Sequence, residues 1–152
     1  MAEPDKGDVA ADSEPVVVTT HPEADWFLSD LVQMANAGLE FPITLFTSGL
    51  IISGRLVSAK AYFDALGGQM SEGMTRENKA AIIAWMERIK SSYDDDGEQE
   101  KIPPGFIHML EAQIWVPNQK PLPAQQGTPW RGRLSQIAAF SYGRLKPGTA
   151  LG

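Results

Sequence analysis

The chain has 152 residues, 43% of them apolar, with no cysteine and a formal net charge of −6. That length suits one domain with tails, and the absence of cysteine excludes disulfides and thiolate metal sites and fits a reducing compartment. The longest uncharged apolar run, Phe41 to Gly54, falls short of the roughly 20 residues of a spanning helix, and the opening MAEPDKGDVAADSEP is too acidic for a secretory signal, so the expectation is a cytoplasmic protein with no membrane segment.

Charge is unevenly spread. Glu3, Asp5, Asp8, Asp12, Glu14, Glu23 and Asp25 face Lys6 alone in the first 25 residues, which accounts for the whole acidic surplus. From Lys101 onward the balance reverses, with Lys101, Lys120, Arg131, Arg133, Arg144 and Lys146 against Glu111. Residues 1–21 lack hydrophobic period and read as a disordered, solubilising tail, with Val16-Val17-Val18 a short strand that has no visible partner. Residues 22–146 read as one domain and 147–152 as a frayed end.

A helix is expected from Pro22, capped by Thr20 or His21, with Trp26, Phe27, Leu28, Leu31, Val32, Met34 and Ala35 as its apolar stripe and Gly38 at its end. Phe41 to Leu66 then reads as a hairpin turning at Thr47-Ser48-Gly49. Its Tyr62–Leu66 end either extends the second arm or starts a helical turn, and Gly67-Gly68 breaks the chain. Thr75 caps a further helix with a stripe of Ile82, Trp85, Met86, Ile89 and Tyr93. Asp94-Asp95-Asp96-Gly97 lacks the alternation of a calcium loop and reads as a solvated helix end. A strand follows from Phe106 to Val116, with Phe106, His108, Leu110, Ala112, Ile114 and Val116 on one face and Ile107, Met109, Glu111, Gln113 and Trp115 on the other. Pro117 to Pro129 is a long loop rich in proline and glutamine. In Trp130 to Leu145 the apolar face flips near Ser135-Gln136, which requires a β-bulge or a bend between two strands. The fold class is therefore α+β: a small antiparallel, strongly bent sheet or Sm-like barrel, with an N-terminal helix and an inserted second helix. Closure into a barrel, which removes the sheet edges, is the first expectation; an open curved sheet with helices on one face is the alternative.

The residues assemble no catalytic constellation. Only two histidines occur, His21 and His108, and a strand histidine such as His108 is expected to be a half-buried, hydrogen-bonded residue. No G-x-S-x-G elbow, glycine-rich phosphate loop or H-E-x-x-H is present, and nothing brings Asp64 and Glu111 together as an acid–base pair. No metal or cofactor is expected. Trp115 and Trp130 bracket the Pro/Gln loop and are either core or rim residues or an exposed aromatic patch.

Two resemblances add to this reading. The order of helix, strand–turn–strand with S-G-R-L, and a late Arg131-Gly132 resembles an Sm-type barrel. The asparagine that Sm proteins use to read RNA is missing after Asp64, and the net negative charge disfavours phosphate, so nucleic acid is the lesser alternative. The blocks ITL..SGLIISGRLVSAKAYF (Ile43 to Phe63), FIHMLEAQIW (Phe106 to Trp115), the K-P-x-P at Lys120 to Pro123, and WRGRLSQIAAFSYGRL (Trp130 to Leu145) resemble the gas vesicle protein GvpU family in content and spacing. That resemblance implies a non-enzymatic, cytoplasmic, gas-vesicle-associated accessory protein, acting in vesicle formation, regulation or clustering. Its partners would be gas vesicle shell proteins, other accessory proteins, or further copies in a homo-oligomer. The contact surface expected here is Trp115 and Trp130 as aromatic anchors, with Arg131 and Arg133 pairing charge.

Overall fold

The structure, a computed structural model, describes residues 24–94 and 104–148. The tail at 1–21, its Val16-Val17-Val18 run and Asp95-Asp96-Gly97 lie outside the described residues. The first helix, α1 (Trp26–Asn36), begins later than expected. Asp25 is its cap, with Oδ1 accepting from the Phe27 amide at 2.8 Å, so neither Thr20 nor His21 has that role. Only Leu28, Val32 and Ala35, at spacings of four and three, carry its buried stripe beside Ser29. Trp26 and Phe27 face solvent. The helix ends as the sequence anticipates: Gly38 sits at φ +106° and the amides of Gly38 and Leu39 close onto the carbonyls of Ala35 and Met34, a pairing that only a left-handed residue permits cheaply.

The hairpin comprises β1 (Phe41–Thr47) and β2 (Leu50–Leu56), with Thr47 opposite Leu50. Ser48 and Gly49 both have positive φ, the two-residue turn whose twist suits antiparallel strands. The second arm stops at Leu56. Ser58 then caps a full helix, α2 (Ala59–Ser71), by accepting from the Ala61 amide. Gly67 and Gly68 are inside this helix and do not break it. A Cβ on Gly67 would stand 2.9 Å from Met86 Cγ, so this glycine lets α2 approach α3 (Arg76–Ser91). Thr75 caps α3 as expected, and its inner stripe is Ile82, Met86 and Ile89. Trp85 and Tyr93 are substantially exposed.

Strands β3 (Phe106–Trp115), β4 (Thr128–Arg133) and β5 (Ala139–Tyr142) complete one antiparallel sheet in the order β4-β3-β2-β1-β5. The sheet is open, so the expected barrel is corrected: β4 and β5 are its two edges and do not pair with each other. The flip near Ser135 is a bend between strands. A single 3-10 turn, Leu134–Gln136, takes the chain from one edge of the sheet to the other, with Leu134 and Ile137 buried in the core on the way.

Helices cover both faces of the sheet, which also corrects the single-faced alternative. On one face α1 packs Leu28, Val32 and Ala35 onto Ile43, Leu45, Ile52, Leu56, Ile107 and Met109. On the other, Tyr62 and Phe63 of α2 and Met86 of α3 cover Val57 and Leu110. The remainder of that second face is crossed by the segment following β5. Gly143, at φ +108°, turns the chain back over the sheet. Leu145 donates its amide to Ser53 Oγ at 2.8 Å, and Thr44 Oγ1 donates to the Gly143 carbonyl at 2.8 Å. Ser53 and Thr44 hydroxyls lie 3.0 Å apart; with Ser53 donating to Thr44, both buried hydroxyls are satisfied.

The expected alternation along β3 holds only to Leu110. Pairing with β2 and with β4 shifts by one residue at Glu111, whose φ is 54°. This bulge moves the core-facing set from Ile107 and Met109 to Ala112 and Ile114, because one extra residue inverts a period of two. It is held between two glycines. A Cβ on Gly127 would lie 2.0 Å from the Glu111 carbonyl carbon, and one on Gly54 would lie 2.9 Å from Ala112 Cα. Gly127→Ala and Gly54→Ala should each destabilise the fold by about 1–3 kcal/mol or more, since backbone stands in the way. Gly105→Ala, where nothing lies within 4 Å, should change stability by less than about 1 kcal/mol. Urea unfolding of the three variants checks this, and equal effects at all three would refute the bulge as a packing constraint.

Candidate functional site

The four residues expected to form a contact surface are split by the sheet. Trp130 lies opposite Met109 and packs on the α1-side core. Its ring covers Gly132, where a Cβ would stand 2.2 Å from Cη2. Arg131 and Arg133, one residue out of phase with Trp130, project on the other face. Trp115 lies opposite Ile51 and, past the bulge, shares the face of the arginines. It is separated from His108, the partner of Arg131, by seven positions of β3, about 20 Å along the strand at the usual rise. The two tryptophans therefore do not form one aromatic patch. Trp115 is half-buried, and its indole Nε1 is buried without a hydrogen-bond partner among the described residues.

Arg131 is committed to the fold as well as to the surface. Its Nε donates to His108 Nε2 at 3.1 Å, and its guanidinium carbon lies 3.6 Å from the Phe106 ring centroid, a cation–π contact. Arg133 is exposed and forms no ion pair among the described residues. It borders a hollow of about 170 Å³ lined by Pro104, Phe106 and Leu134, well under the roughly 300 Å³ at which small-molecule sites begin.

His108 is the centre that pattern reading placed on the strand but did not surround. It is 2% exposed. Its ring centroid lies 4.9 Å from Tyr62, 5.7 Å from Phe63 and 6.4 Å from Tyr93. Burial, reinforced by the Arg131 charge, lowers its pKa to about 4. Burial likewise raises the Tyr62 phenol, with Arg131 opposing. A neutral imidazole that accepts from a guanidinium is a structural hydrogen-bond acceptor, not a proton shuttle at neutral pH.

A second group also escaped the sequence. Glu111, turned outward by the bulge, accepts from Arg144 Nη1 at 2.6 Å and lies 3.5 Å from Arg55 Nη2. Arg55 pairs with Glu40 in turn. That hydrogen bond is the first cause of the raised Arg55 pKa, with desolvation opposing. These residues come from four separate stretches, and no local pattern links them. Asp64, on α2, pairs instead with Lys90, so Asp64 and Glu111 form no acid–base pair. Among the described residues no three His, Cys, Asp or Glu side chains gather as a metal site. The Pro/Gln loop is tied down rather than free: Ile114 and Leu122 exchange backbone hydrogen bonds, and Gln113 Nε2 donates to the Pro123 carbonyl at 2.8 Å.

A family model described as gas vesicle protein GvpU-like matches residues 25–145. The matched span runs from the Asp25 cap of α1 to Leu145, whose amide is tied to Ser53. No curated protein and no solved structure matches the chain. Among the described residues no helix is long and apolar enough to cross a membrane.

The aromatic enclosure of His108 predicts a specific acid sensitivity. The folded pKa of about 4 lies below the ordinary 6.5, so between these values the unfolded chain takes up a proton that the folded chain refuses. Stability should be unaffected by this group above pH 6.5 and should fall as pH drops toward 4, by about 3 kcal/mol in all. The difference between parent and His108→Leu in denaturant midpoints across pH 7 to 4 isolates this contribution from the carboxylates. Parallel pH profiles would contradict it.

Proposed function

The chain belongs to the GvpU-like family of gas vesicle proteins, and from that membership we propose that it is a non-enzymatic accessory protein of gas vesicles. In this reading it works in the cytoplasm, in vesicle formation, regulation or clustering. It acts through contacts with shell proteins, with other accessory proteins and with further copies of itself. The observation that carries the reading is the extent of the family match, residues 25–145, which spans every helix and strand from α1 to β5. The small hollow beside Arg133 and the commitment of His108 and Glu111 to internal contacts agree with a role borne by surfaces.

The vesicle-facing contact is assigned to the open edge at β4. Arg131 and Arg133 supply charge on one face, Trp115 an aromatic flank on that face, and Trp130 the support beneath. Edge strands offer unpaired backbone groups, and exposed arginines choose between partners there. Replacing Trp115, Arg131 and Arg133 together by alanine, while leaving Trp130 in the core, should reduce co-sedimentation with purified gas vesicles about fivefold or more. Circular dichroism verifies that the variant remains folded. A folded triple variant that sediments with vesicles as the parent does would eliminate this surface.

A further inference from the structure

Helix α3 covers α2 with one stripe and leaves the opposite face without a partner. Ile82, Met86 and Ile89 point inward, and Lys90 ties the helix to α2 through Asp64. Every residue from Arg76 to Ala81 is exposed, as are Ala84 and Arg88. A surface helix usually presents charge outward. Here the outer face between Ala80 and Trp85 carries none: Ala80, Ala81 and Ala84 form its floor, Ile83 and Trp85 its walls, with Ile83 48% and Trp85 43% exposed.

Charge returns at either end of that apolar stretch and with opposite sign. Glu77, Ala81, Ala84 and Arg88 are spaced by four, three and four, which places them in one row along the helix. Among the described residues neither Glu77 nor Arg88 forms an ion pair. We propose that this face of α3 is the site at which a second copy of the chain docks, with the two helices antiparallel about a two-fold axis passing between residues 82 and 83.

The occupant follows from the charge pattern. The axis sets Glu77 against Arg88 of the second copy and Arg88 against its Glu77, so one match occurs twice. Ala81 meets Ala84 of the second copy, which allows close approach, and Trp85 flanks the contact on each copy. A parallel pairing would set like charges side by side and align the helix dipoles unfavourably. The proposal deepens the self-contact part of the reading above and uses a surface separate from the β4 edge.

Sedimentation velocity of the full chain over a concentration series, with gas vesicle co-sedimentation measured in parallel, tests it. The parent should show a monomer–dimer equilibrium. Arg88→Glu and Glu77→Arg should each weaken it by at least about tenfold, because each places two like-charge pairs in the interface. Mixing the two single variants should restore association, since their faces are then complementary, and the double variant should dimerise alone. A parent that stays monomeric throughout overturns the proposal. So do single variants that associate as the parent does, and a mixture that fails to recover. If the parent is monomeric and Arg88→Glu loses vesicle binding instead, the face belongs to the vesicle and not to a second copy. Loss of dimer with vesicle binding retained supports the assignment and leaves the accessory reading untouched.

Discussion

The fold depends on one surplus residue. Glu111 has no opposite number on either neighbouring strand, and the sheet accommodates it because Gly54 and Gly127 leave room on both sides. Its left-handed backbone is costly for a residue with a side chain. What the strain supports is a change of face halfway along β3. Before the bulge Ile107 and Met109 meet α1, while His108 and Leu110 meet α2. After it Ala112 and Ile114 continue the α1 core. Without the inversion Ala112 and Ile114 would leave that core and Glu111 and Gln113 would enter it. A buried carboxylate without a partner is among the most expensive arrangements a small core can hold.

The bulge also connects the sheet to its second covering. Turned outward, the Glu111 carboxylate receives Arg144, and Arg144 lies in the segment that Leu145 and Gly143 fasten to Ser53 and Thr44. Residues near the chain's end are thereby anchored to the middle of the sheet by two buried hydroxyls and one charge pair. At the other end of the same face the α2–α3 pair closes over His108. The five strands thus have both faces occupied, and the sheet is stable without closing. The edges that a barrel would have removed remain at β4 and β5. An exposed edge invites pairing; β4 carries Arg131 and Arg133 on its accessible face, the kind of charge that discourages indiscriminate contact and favours a chosen one.

What was legible in the sequence was local. The Ser48-Gly49 turn, the Thr75 cap, the Gly38 terminus and the extent of β3 follow from periodicity and from residues with one dominant conformational use. What failed depended on distant neighbours. Gly67-Gly68 reads as a breaker because glycine is a poor helix former, yet Met86, nineteen positions on, requires Gly67 to be small. The bulge has no signature in β3 itself; its cause lies in a glycine on β2 and another just ahead of β4. Helix α2 was hidden for a similar reason: its stripe is short, and Tyr62 and Phe63 are buried by His108 rather than by a regular repeat. By alternation alone Trp115 shares the parity of Met109, and only the bulge sets it on the face of the arginines. The family resemblance survived these errors because it rests on the content and spacing of blocks, which the bulge does not alter.

The polar groups in the interior are spent on architecture. Thr44 and Ser53 complete each other's hydrogen bonds, and His108 accepts from Arg131 inside an aromatic enclosure. Among the described residues the Trp115 indole is the buried side-chain group left without a partner. Outside, Arg133 at the β4 edge and Glu77 and Arg88 at the two ends of the apolar face of α3 belong to the charges that form no ion pair among the described residues. These are separate surfaces on separate elements, one at the edge of the sheet and one on the outward side of a helix. In the proposed reading, one surface holds a vesicle component while a second copy occupies the other, and that division of contacts is what bringing vesicles together would demand of a small protein.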